Sequence, residues 1–309
     1  MRNWKVSPAP HVHSKDTTAT LMLDVIAALM PCVVASIWLF SWNAVRVIAI
    51  SVAACVLMEM VYQKLTKRTI RINDLSAVVT GIILALNLPA TAPWWMILVG
   101  CAVAIILVKQ LFGGIGDNFV NPALAARAVL LASWPAHMTG ASVFTVPFAD
   151  GVTGATILSD AAAAGDYTMI DLLIGRIPGS LGEVCKIAIL LGLVYLLIRK
   201  TITWHIPVVL LGTFALFSFL FGQDPLLSLM TGGVLFGAVF MATDYVTSPM
   251  TGWGKVIFAF GAGLIIALIR SFGGYPEGVT YGILLMNCAT PLIDRVTGPR
   301  LYGRVKQNA

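Results

Sequence analysis

Ten long, predominantly apolar stretches follow one another along this chain, at roughly 21–40, 44–62, 75–91, 94–112 and 119–134, then 183–199, 204–222, 226–243, 255–270 and 278–293. Runs this apolar belong in lipid, where each must satisfy its own backbone hydrogen bonds, and a helix does so. With 58% hydrophobic and only 11% charged residues in 309, little chain is left over for a soluble domain. The first run begins near Leu21, contains Asp24 and is followed by many more. It reads as a first spanning helix rather than a cleaved signal. The expected fold class is therefore an all-α polytopic membrane protein with about ten transmembrane helices.

The formal charge of +6 does not point to nucleic acid, because the basic residues flank apolar segments instead of forming one patch with interleaved aromatics. Cys32, Cys55, Cys101, Cys185 and Cys288 lie apart on apolar segments with no C-x-x-C pair, so neither a zinc site nor a dedicated iron–sulfur cluster is signalled. His11 and His13 form an H-x-H in a short polar tail and read as solvated. "FGGIGDN", from Phe112 to Asn118, follows an apolar helix and lacks the strand context of a dinucleotide fingerprint.

Several runs carry Pro, Gly or Asn, notably "LALNLPATAPWW" and "NFVNPALAARA". Such interruptions leave backbone groups unpaired unless they face protein or a water-filled cavity, so these are expected to be broken helices lining an interior. The two sets of five runs also resemble each other. "VVTGIILALNLPATAPWW" matches "LMTGGVLFGAVFMATDYVTSPMTGW" at Thr80-Gly81 and Thr231-Gly232, and "LFGGIGDNFVNPALA" matches "SFGGYPEGVTYGILL" at Phe-Gly-Gly and at the following acid. An odd number of crossings per unit makes the repeat an inverted one, with its site at the interface of the halves. The expected organisation is a tail at 1–20, a first five-helix repeat at 21–134, a connector at 135–182, a second repeat at 183–294 and a tail at 295–309. Inverted repeats also build secondary transporters and channels, which stand as the alternative reading. The long polar connector argues for something else.

Within that connector, "DGVTGAT", Asp150 to Thr156, resembles the flavinylation motif of the membrane-embedded B and D subunits of the Nqr and Rnf redox complexes. "SPAPHVHSKD" before the first helix, "NFVNPALAARA" ahead of the connector and "ATDYVTSPMTGWGK" after the eighth run resemble the same family, in the family's order. The resemblance covers nearly the whole chain. The short tail before Leu21 is similar to the D subunit of Rnf; the B subunit of Nqr, with its longer extension, is the alternative.

The resemblance implies that Thr156 carries FMN covalently through its phosphate, delivered from FAD by a separate flavin transferase as the hydroxyl displaces AMP at a phosphorus held by a metal ion. Gly151, Gly154 and Ala155 keep the backbone thin enough to enter that enzyme, Thr153 offers a second hydroxyl, and Asp150 either orients the loop or serves as a turn residue. The family further implies electron transfer between ferredoxin and NAD coupled to Na+ or H+ movement. Its partners are the other Rnf subunits, among them a second covalent-FMN subunit and membrane iron–sulfur subunits. A noncovalent riboflavin occurs in some relatives.

Asn121, Pro122 and Arg127 in one broken segment, and Thr243, Asp244, Thr247, Ser248 and Pro249 in its counterpart, supply polar groups to the same pseudo-symmetric centre. They read either as flavin contacts or as caps of the helix breaks. Asp24 and Glu59, inside apolar runs, read as parts of an ion path or as interhelical hydrogen-bonding groups. Trp94, Trp95, Trp134 and Trp253 sit at run ends as interfacial anchors. Lys and Arg in the short loops place both termini on the cytoplasmic side of a prokaryotic cell membrane, and the connector with Thr156 outside.

Overall fold

The computed structural model describes residues 17–139, 143–145, 147, 167–273 and 278–298. Among these residues the chain is helical and contains no strand. Helix α1, Thr18–Leu65, opens on a capping box between Thr17 and Thr20 and is interrupted at Ser41, whose φ of 51° and ψ of −134° are not helical. Met22, near its start, lines the same cleft as Lys109, and Lys109 grips Glu59 near its end. A straight helix would hold Met22 and Glu59 about 55 Å apart. The chain therefore doubles back at Ser41, and α1 supplies the first two expected runs.

After a 3-10 turn, Ile72–Asp74, come α2, Ser76–Leu86, and α3, Trp94–Ala102, which continues as a π-helix over Val103–Gln110. The Ser51 hydroxyl on α1 donates to the Gly81 carbonyl on α2 at 2.8 Å. Helix α4, Pro122–Ser133, starts at Asn121, whose side chain accepts from the amides of Ala123 and Leu124. Pro122 at the first position has no amide hydrogen, so this helix start has one fewer donor in need of an acceptor.

The expected connector holds two short helices, α5, Pro135–Met138, and α6, Met169–Ile174. Sequence periodicity had no purchase on elements of one turn or so. Helix α6 is fixed by a capping box in which the Thr168 hydroxyl donates to Asp171 at 2.6 Å. That bond and the Thr168 amide hold the Asp171 carboxyl below the usual carboxylate range.

The second half contains α7, Lys186–Ile198, and α8, His205–Leu220. The eighth run is not one span: α9, Pro225–Met230, stops, and α10, Val234–Phe236, passes into a π-helix over Gly237–Met241. Between them Gly232 has φ 61°, a conformation open to glycine at little cost. Helices α11, Gly252–Phe272, and α12, Val279–Thr297, complete the described chain. Among the described residues two helices, α1 and α11, are long and apolar enough to cross a membrane by length and composition, and the other apolar helices are shorter.

The halves are packed through small residues. A Cβ on Gly192 of α7 would stand 2.5 Å from the Ala28 carbonyl oxygen and 2.6 Å from the Phe240 ring, so only glycine allows α1 and α7 this approach. The core runs through both halves, from Leu29 and Cys32 past Leu84 and Ile97 to Phe214, Phe236 and Phe258.

Candidate functional site

Between the halves lies a narrow cleft with a cavity of about 100 Å³, smaller than the usual small-molecule site. The first half contributes Ser76, Thr80, Lys109, Asn118 and Asn121; the second contributes Leu196, Phe240, Thr243, Asp244 and Tyr245. Four of the expected interior residues, Asn121, Pro122, Thr243 and Asp244, therefore come together here. Asn121 does so while capping α4, and its amide also donates to the Met241 carbonyl at 3.2 Å, bridging the two broken segments. Thr243 donates back to the Val239 carbonyl at 2.6 Å, satisfying the end of the second π-turn.

The other expected interior residues lie elsewhere. Asp244 accepts from the Thr247 hydroxyl at 3.1 Å, and the Thr247 carbonyl accepts from the Thr290 hydroxyl at 2.9 Å, so Thr247 serves the break after Met241. Ser248 lines a separate groove with Thr201, Thr243, Tyr245 and Lys255. Arg127 is buried deeper, 3% exposed, where it donates to the Asn87 side-chain oxygen and to Glu183 at 2.9 Å. Glu183 in turn offers its backbone carbonyl to the Lys186 ammonium, which also donates to the Gly232 carbonyl at 3.1 Å. Buried charges are tolerable in such a place only when paired and hydrogen-bonded.

Asp24 pairs with Arg199 at 3.2 Å and accepts from the Tyr195 hydroxyl, linking α1 to the end of α7. Arg199 is half exposed, so this pair lies at the margin of the helix bundle. Glu59 is buried and pairs with Lys109 at 2.9 Å. Lys109, Glu183 and Lys186 were not singled out by sequence reasoning, although each lies inside an expected apolar run. The criterion that drew attention to Asp24 and Glu59 applies equally to them.

The flavinylation stretch, with Asp150, Gly151, Thr153, Gly154, Ala155 and Thr156, lies outside the described residues. The cleft has a mixed lining, with Phe240 and Tyr245 among its apolar and aromatic residues and Asn118, Asn121 and Thr243 among its polar ones. Among the described residues no cluster of three or more His, Cys, Asp or Glu could hold a metal ion.

The sequence matches the pattern of the NQR2, RnfD, RnfE family over residues 5–303. It is 50% identical over 309 residues to the D subunit of the Na(+)-translocating ferredoxin:NAD(+) oxidoreductase complex of Acetobacterium woodii, covering 98% of this chain and 96% of that protein. It is 40% identical over 316 residues to the D subunit of the proton-translocating ferredoxin:NAD(+) oxidoreductase complex of Clostridium ljungdahlii, covering 96% of each. Against the D subunit of the ion-translocating oxidoreductase complex of Salmonella arizonae the identity is 36% over 352 residues, with 98% of this chain and 99% of that protein covered. With matches of this extent over a helical membrane fold, the chain belongs to the NQR2, RnfD, RnfE family.

Proposed function

We propose that this chain is the flavin-bearing, membrane-embedded D subunit of an Rnf-type complex, carrying electrons between ferredoxin and NAD through FMN esterified to Thr156, with coupled movement of Na+ or H+. It is one subunit of an ion-translocating ferredoxin:NAD+ oxidoreductase in a prokaryotic membrane. The observation that carries the flavin assignment is the unbroken "DGVTGAT" at Asp150 to Thr156, set in a chain half identical throughout to the D subunit of one such complex.

Thr156 supplies the hydroxyl, and its neighbours Gly151, Gly154 and Ala155 keep side-chain bulk out of the transferase's way. Attachment through the phosphate leaves the isoalloxazine ring free for redox chemistry while holding it near the next carrier. The polar groups of Asn121, Thr243 and Asp244 in the cleft between the halves support the reading of a flavin contact there, which requires the narrow cleft to widen, and the cleft's position between two five-segment halves supports the inverted-repeat reading. The remaining redox centres, a second covalent-FMN subunit and membrane iron–sulfur subunits, are the partners that the family resemblance implies, and the relatives' description as complex subunits supports such an assembly.

The chain produced together with a flavin transferase is expected to give a fluorescent band on an illuminated denaturing gel and one FMN on the tryptic fragment containing Thr156. Thr156→Ala is expected to abolish both. Flavin retained in that variant would move the site to Thr153, and a dark band from the native chain would favour a transporter.

A further inference from the structure

Where α7 ends, the chain turns through Lys200 at φ 57°, and the Thr201 amide donates back to the Leu196 carbonyl at 3.0 Å. Glycine takes such a turn at little cost and lysine does not, so the turn itself gives no reason for a lysine there. Helices α8 and α11 both start beside it and run parallel. The Lys255 ammonium, near the start of α11, donates to the Thr203 hydroxyl ahead of α8 at 3.3 Å, and farther along a Cβ on Gly263 of α11 would stand 2.7 Å from the Leu210 carbonyl oxygen of α8. The positive ends of two helices therefore lie at the same end of the bundle. Between these elements is a groove with a cavity of about 400 Å³, within the range of small-molecule sites, and Lys200, Thr201, Thr203, Ser248 and Lys255 supply its polar lining.

Neither lysine pairs with a carboxylate among the described residues. Asp24, one turn along α1 from the groove-lining Leu21, is taken up by Arg199 at 3.2 Å. Thr201 gives an independent sign of a ligand. Its side chain is 3% exposed and lines the groove, and its hydroxyl has no hydrogen-bond partner among the described residues. A buried hydroxyl left without a partner is costly and uncommon, and an acceptor seated in the groove would satisfy it. The start of α8 likewise has no side-chain cap. Two ammoniums and a free hydroxyl donor match a phosphate, which is anionic and offers several acceptor oxygens. The surroundings choose between a free phosphate and one carried by a lipid. Trp204 and Trp253, exposed at the starts of α8 and α11, sit as aromatic residues do at headgroup level, and Val208 and Ile257, one turn further along, are exposed apolar side chains. A free phosphate has no use for that apolar track, whereas acyl chains do.

We propose that this groove binds the headgroup of an anionic phospholipid: the Lys200 and Lys255 ammoniums pair with its phosphate, the Thr201 hydroxyl donates to a phosphate oxygen, and the acyl chains run along α8 and α11. Ile202, Thr243 and Tyr245 line both the groove and the cleft between the halves, so a bound headgroup braces a wall of the cleft from its far side. Tyr245 ties the two spaces together, its hydroxyl donating to the Thr201 backbone carbonyl.

The test uses the full chain purified in detergent, with native mass spectrometry counting bound dioleoylphosphatidylglycerol and with dioleoylphosphatidylcholine as the control lipid. One phosphatidylglycerol is expected to stay bound at concentrations where phosphatidylcholine does not. Lys200→Gly together with Lys255→Gln, the first chosen because glycine suits φ 57°, is expected to weaken that binding by about tenfold or more. Thr201→Val keeps the side-chain shape and removes a hydroxyl that bonds to nothing among the described residues. Its melting temperature is expected to match or exceed the native one while phosphatidylglycerol binds about tenfold more weakly, a separation that a merely structural threonine would not give. Equal retention of the two lipids, or unchanged phosphatidylglycerol binding in either variant, overturns the proposal. Displacement of the lipid by millimolar inorganic phosphate assigns the groove to a free anion and overturns the lipid reading. Should the double variant fail to fold, Thr201→Val and the comparison of lipids decide.

Discussion

Arg127 of α4 and Glu183, just ahead of α7, form an ion pair at 2.9 Å with side chains 4% and 5% exposed. The pair joins the last helix of the first half to the first helix of the second; the Asn87 side-chain oxygen accepts a further bond from Arg127, and Lys186 donates to the backbone carbonyl of Glu183. Removing one partner strands the other charge in the interior. Glu183→Ala is expected to lower stability by about 3–5 kcal/mol, and the double replacement Arg127→Met with Glu183→Leu is expected to recover much of that. Unfolding of the purified chain in detergent, followed by tryptophan fluorescence, checks it; a double variant as unstable as the single one would show that the pair does more than neutralise itself.

At the crossing of α1 and α7, Gly192→Val is expected to drive the helices apart, because its Cβ alone would collide with the Ala28 carbonyl. Overpacking of this kind costs about 1–3 kcal/mol or more. Gly212→Ala on α8 is the control: a Cβ there meets nothing within 4 Å, and loss of a mid-helix glycine should stabilise by about 0.5–1 kcal/mol. Melting temperatures moving in the same direction for both would contradict the packing account.

Ser41 occupies φ 51° and ψ −134°, a region where a Cβ is strained. Ser41→Gly is expected to raise the melting temperature, and Ser41→Pro, which demands a negative φ, to lower the folded yield. A glycine variant less stable than the native chain would mean that the serine hydroxyl holds the turn.

Sidedness is open to a direct chemical measurement. In a cysteine-free background, a cysteine at Ser159 is expected to react with a membrane-impermeant maleimide in intact cells or spheroplasts, and one at Thr66, at the end of α1, only after lysis. The reverse pattern would place the connector with Thr156 on the cytoplasmic side and overturn the expected topology.

The helical segments were legible because apolar run length is a strong signal: all ten expected runs contain helix, and Asn121-Pro122 announced the start of α4 from residue type alone. The break at Thr231 to Gly233 was hidden, since nothing in "LMTGGVLF" departs from an apolar helix except two glycines and a threonine. Lys109 escaped notice for a related reason: a lysine near the end of a run reads as one that reaches for the interface. Only the π-winding of α3 and the return of α1 turn it onto Glu59, and both depend on tertiary packing. The grouping of Asn121 with Thr243 and Asp244 was foreseeable from the repeat, whereas the diversion of Arg127 to Glu183 required knowing that the connector folds back, with the Gly182 amide donating to the Leu86 carbonyl at 2.7 Å.

The break at Ser41 also sets an electrical distance. Trp38 and Trp42 flank it, 55% and 77% exposed, as residues do at headgroup level. From Ser41 the helix climbs ~27 Å to Glu59 at 1.5 Å per residue, against a hydrocarbon thickness of ~30 Å. Glu59 therefore stands close to the face opposite the break, where little of the transmembrane voltage has yet been dropped. A charge crossing the whole field exchanges about 2.3 kcal/mol per 100 mV, and the Glu59–Lys109 pair, near one end of that field, feels only a small part of it. The stability of this pair should be nearly blind to membrane potential.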